Sequence, residues 1–166
     1  MKCDGCTMCC FVLPIIALNK PPGVMCKYCE WGIGCKVWRN GKPAECKKFK
    51  CMYAQIEKCS INLRPDKCNI IFEKLQDNII YGTMHPDHND SYQTKNMEGQ
   101  IKAFLNENFS VVIGSYTLDA PIIINEKRRS SLDVWKSLQK QINMFHGFHN
   151  IMRKINDSTG LHNRLN

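Results

Sequence analysis

Two different patterns of apolar and polar positions divide the chain. Up to about residue 68 neither a helical nor a strand period is sustained. Turn formers recur instead at Gly5, Pro14, Pro21-Pro22-Gly23, Gly32, Gly34, Gly41 and Pro43, which predicts short helical turns and loops. Phe11, Tyr28, Trp31, Trp38, Phe49 and Tyr53 supply a minimal core, too small to hold such a segment together without staples. Beyond residue 68 the periods become regular. Asn69 to Glu73 and Asn78 to Gly82 are short β-prone runs that predict a hairpin. Met97 to Phe109 places Ile101, Phe104, Leu105 and Asn108 near helical spacing. Ser110 to Tyr116 and Pro121 to Ile124 read as a second hairpin. Leu132, Trp135, Leu138, Ile142 and Phe145 form one stripe of a C-terminal helix running to about Ile155, and Asn156 to Asn166 is a polar, frayed end. The expected fold class is α+β: an irregular module over 1–68, then over 69–166 a small antiparallel β-β-α-β-β unit with a C-terminal helix.

The cysteines supply the staples. All 11 fall within the first 68 residues, at Cys3, Cys6, Cys9, Cys10, Cys26, Cys29, Cys35, Cys46, Cys51, Cys59 and Cys68. Thiolates are soft, strongly donating ligands, and a C-x-x-C turn lets two of them grip one ion. A secreted disulfide scaffold is the competing reading, and compartment separates the two. Met1-Lys2-Cys3 leaves no room for a signal peptide before the cysteines, and the count is odd. The apolar run from Phe11 to Leu18 contains a proline and falls far short of the ~20 residues of a membrane span. The expectation is a cytoplasmic metalloprotein with no membrane segment.

Charge changes that picture little. Residues 1–70 hold 12 Lys and Arg against 5 Asp and Glu, whereas residues 71–166 are nearly balanced. A basic half suggests nucleic acid. Bound cysteines are deprotonated, however, and a zinc ion with four thiolates carries two negative charges. Lys27, Lys36, Lys47, Lys48 and Lys50 lie among the cysteines, where they would balance thiolates. Nucleic-acid binding by Lys36, Lys42, Lys47, Lys48 and Lys50, with Trp31 or Trp38 for stacking, is therefore compatible with the charge but not required by it.

The most specific stretch runs Gly34-Cys35-Lys36-Val37-Trp38, then Lys42-Pro43-Ala44-Glu45-Cys46-Lys47-Lys48-Phe49-Lys50-Cys51. Together with the opening C-x-x-C-x-x-C-C it resembles the YkgJ-type cysteine-cluster family, described as zinc- or iron-chelating. Lys42 and Lys47 stand where that family prefers arginine. Leu63 to Cys68 looks like a feature of a bacterial subgroup with a short α+β tail. The resemblance implies metal ligation by Cys3, Cys6, Cys9, Cys10, Cys29, Cys35, Cys46 and Cys51, and Cys26 joins them as the C-x-x-C partner of Cys29. Neighbouring residues seldom both point at one ion, so Cys9 and Cys10 are expected to serve different ions. Zinc is the default for such a module, and iron or an iron–sulfur cluster is the alternative. Cys59 and Cys68 sit in weaker context and read equally well as buried apolar thiols.

Two histidine pairs complete the inventory. His85-x-x-His88, with Asp87 and Asp90, reads as a solvated loop before it reads as a metal site, and His146-x-x-His149 as packing on the last helix. No phosphate loop, nucleophile elbow or H-E-x-x-H is present, so no catalytic constellation is visible. The expected function is metal binding that folds the module to present a surface to a protein partner. The alternatives are an iron–sulfur redox or sensor protein, or an accessory subunit of an enzyme.

Overall fold

A computed structural model of the chain describes residues 5–49, 51–75, 78–115 and 122–124. The expected C-terminal helix lies outside those residues, as do Cys3, Lys50, His146 and His149.

The first half is built from short pieces whose ends have local causes. Helix α1 (Met8–Val12) stops because Pro14 holds Leu13 extended, at φ −85° and ψ 142°. The chain then doubles back through a 3-10 turn at Ile16–Leu18, with Asn19 in the left-handed region. Ile15 and Lys20 close this reversal by exchanging both backbone hydrogen bonds, at 3.0 and 3.1 Å. Strands β1 (Cys29–Glu30) and β2 (Gly34–Cys35) make a two-residue antiparallel hairpin. Helix α2 (Ala44–Lys48) starts behind Pro43. Helix α3 (Met52–Gln55), a 3-10 turn at Ile61–Leu63 and helix α4 (Pro65–Cys68) lead into the second half.

That half contains a four-stranded sheet in the order β3 (Ile70–Lys74), β4 (Ile79–Met84), β5 (Ser110–Gly114), β6 (Ile122–Ile124). Helix α5 (Lys95–Asn106) lies in sequence between β4 and β5. The outer pairs are antiparallel, as expected. The central pair is not: β4 and β5 run parallel, with Ile80 opposite Val111. The sheet is therefore mixed rather than antiparallel. Between Met84 and Ser110 the chain traverses α5, and a crossover of that length returns a neighbouring strand in the same direction.

The main core is sheet against helix. Ile70, Phe72, Ile80, Met84, Val111 and Ile113 pack with Met97, Ile101 and Phe104 of α5. Side chains alternate along a strand, so Ile71 turns the other way and packs with Met8 and Val12 of α1. One strand thereby serves both the helix-covered core and the cysteine-rich module. The molecule is thus of mixed α and β type, with small sheets and short helices. Among the described residues no helix is long and apolar enough to cross a membrane.

Candidate metal centre

Three cysteine-bearing segments gather around α1, which carries Cys9 and Cys10. The Cys26 N–H donates to the Cys10 carbonyl at 3.0 Å and lays the C-x-x-C turn alongside the helix. The Cys29 N–H donates to the Cys26 carbonyl at 2.8 Å and closes that turn. The hairpin register sets Cys35 opposite Cys29, and α2 contributes Cys46. Cys10 and Cys26 are buried with Ile15, and Cys9, Cys29, Cys35 and Cys46 pack around them. A smaller group of Cys6, Cys9 and Cys51 lies against Met8, Val12 and Ile71. Cys9 belongs to both groups.

Three of these thiols are hydrogen-bonded neighbours. Cys10 bonds to both Cys9 and Cys29. Its bond to Cys9 draws the Cys9 pKa below the ordinary thiol value, against the effect of burial, and pushes that of Cys10 upward. Burial raises Cys29 and Cys46, and it takes Cys6 to about 12 although the N–H groups of Met8 and Asp66 donate to its sulfur. Most of these groups therefore hold their protons at neutral pH and release them only to a cation. Among the described residues, no three His, Cys, Asp or Glu side chains are arranged so as to hold a metal ion. The donor chemistry nevertheless fits a soft ion, and none of the ten described cysteines forms a disulfide.

Lys20 is the residue that sequence reasoning missed. It is 5% exposed. Its Nζ donates to the carbonyls of Phe11, Leu13 and Pro21 at 3.1, 2.6 and 2.8 Å. Burial lowers its pKa to about 8, while the charges of Cys26, Cys10, Cys9 and Cys46 work in the opposite direction. Beside Cys46, Glu45 accepts from the Ala17 N–H through Oε1 at 3.1 Å, and its buried Oε2 has no hydrogen-bond partner. At the other group, Arg64 donates to both oxygens of Asp66 at 2.6 and 2.7 Å. Burial alone would raise Asp66, but the Arg64 hydrogen bond and charge hold it below its ordinary value, and it also accepts from Cys6. Helix α4 is thereby tied to the start of the described chain.

The remaining candidates fall elsewhere. Cys68 is buried in the sheet core, its thiol 3.3 Å from the Ile70 carbonyl. His85 stacks on Phe11 with centroids 4.9 Å apart and lies 5.2 Å from His88. Its Nδ1 accepts from the Asp87 N–H at 3.2 Å. Lys36 pairs with Glu30 at 2.7 Å, and the Lys42 Nζ sits 3.0 Å from the Trp38 ring centroid. Against models of known families, curated proteins and solved structures alike, the chain finds no match.

Proposed function

We propose that this protein binds soft metal, zinc or iron, through thiolates drawn from Cys9, Cys10, Cys26, Cys29, Cys35 and Cys46. Cys3, Cys6 and Cys51 are the further ligand candidates. Bound zinc would crosslink the segments as a structural staple, whereas an iron–sulfur cluster would add one-electron chemistry. The resemblance to the cysteine-cluster family points the same way. The folded module would serve a protein partner, and Trp31 and Ile33 in the β1–β2 hairpin are among its exposed apolar side chains.

Lys20 is the observation that carries the reading. No carboxylate among the described residues pairs with its ammonium. A buried charge without a counter-ion costs several kcal/mol. Three carbonyls satisfy its three donors but supply no negative charge. Metal-bound thiolates of Cys9, Cys10, Cys26 and Cys46 would supply it from the neighbouring positions. Protonated thiols would not.

Cobalt(II) substitution tests the proposal. Cobalt added to reduced, anaerobic protein should develop thiolate-to-metal absorption that saturates at a fixed stoichiometry. Cys26→Ser and Cys46→Ser should each weaken that absorption. A titration without any thiolate band would reject metal binding by this cluster.

A further inference from the structure

Between the two cysteine groups lies a cavity of about 320 Å³. Cys6, Cys9, Cys10, Cys35 and Cys51 are among the residues that line it, so it reaches both groups. This is far more space than a metal ion needs. A water's share of the liquid is about 30 Å³, and pockets for small organic ligands begin near ~300 Å³.

The walls have a distinct chemistry. Ile33, Trp38 and Tyr53 contribute apolar and aromatic surface, and Arg39 and Lys36 contribute charge. Both cations belong to exposed residues and so sit at the mouth. Lys36 is held by Glu30, whereas no carboxylate among the described residues pairs with Arg39. Among the described residues no Asp or Glu lines the cavity. The Lys42 ammonium lies over the Trp38 ring and adds to the positive field at this wall.

We infer that this cavity is a binding site for a small organic anion, seated beside the metal centre, with its charged group at Arg39 and its apolar body against Trp38, Ile33 and Tyr53. A guanidinium matches a carboxylate or phosphate through two parallel hydrogen bonds. The thiols among the lining residues place the ligand next to the metal. The inference rests on the metal-binding reading and adds an open, ligand-accessible side to it.

The test uses full-length protein purified without oxygen, with its metal content measured on the same sample. Benzoate is titrated by calorimetry, and the isosteric but neutral benzamide serves as its control. Benzoate should bind saturably and about tenfold or more tighter than benzamide. Arg39→Gln should remove that preference without changing metal content, since the side chain is exposed and contributes no thiol. Fully metallated protein that shows no saturable benzoate binding, or the same preference in Arg39→Gln, overturns this inference and leaves the metal reading intact. Protein that holds no metal overturns the metal reading, and this inference with it.

Discussion

At the scale of single residues, charge and protonation decide what the cysteine cluster does. Replacing Lys20 with methionine should strand the carbonyls of Phe11, Leu13 and Pro21 in a buried place, at about 1–3 kcal/mol. It should also lower metal retention, because the countercharge to the thiolates is lost. A urea midpoint and a metal assay on the variant check both outcomes. Cys46→Ser and Cys68→Ala form a contrasting pair. Cys46→Ser should lose metal, whereas Cys68→Ala should keep it and lose only roughly 1 kcal/mol of buried contact with the sheet core. Equal metal content in the two would mean that Cys46 is not a ligand. His85 gives a pH signature. Burial lowers its pKa from 6.5, with Asp87 opposing and His88 assisting. The unfolded chain then binds the proton more readily, so stability should fall as pH drops below 6.5 and return above it. His85→Phe keeps a ring against Phe11 and should flatten the urea-midpoint profile between about pH 5 and about pH 7.5. The C-x-x-C signals were legible because thiol pairs are rare and regularly spaced. Lys20 was not, because its partners are carbonyls that every residue carries. The Cys6–Asp66 contact was equally hidden, because the two lie far apart along the chain.

At the scale of elements, burial on both faces of β3 sets the constraints. Ile71→Ala should cost about 2–5 kcal/mol and weaken the module as well as the sheet, since Ile71 packs on Met8 and Val12. Gly82 faces Phe72 across the hairpin. A methyl group there would meet the Phe72 ring at 2.8 Å and Ile70 at 3.1 Å. Gly82→Ala should therefore destabilise by about 1–3 kcal/mol, read from thermal or urea unfolding. The strands and α5 were readable from their β-branched runs and from the spacing of Ile101, Phe104 and Leu105. The parallel pairing of β4 with β5 was missed because alternation shows which face a strand buries, not which neighbour it takes. The length of the crossover carried that information.

At the scale of the whole molecule, the described residues form a sheet–helix core joined to a cysteine-rich module. Ile71 against α1, Asp66 with Cys6, and His85 on Phe11 make the join. The sheet has a continuous apolar core of its own, whereas the module's buried groups are small and include many cysteines. Removing metal with a chelator should therefore expose the amides of residues 5–49 to hydrogen exchange while those of β3, β4 and β5 remain protected. The central claim is that the clustered thiols hold a metal. Zinc, iron and acid-labile sulfide per chain, measured on protein purified without oxygen, test it most directly. The account predicts zinc or iron at a fixed stoichiometry, with sulfide present only if the iron is in a cluster. Fully folded protein with neither metal, or with its thiols joined as disulfides, would contradict it.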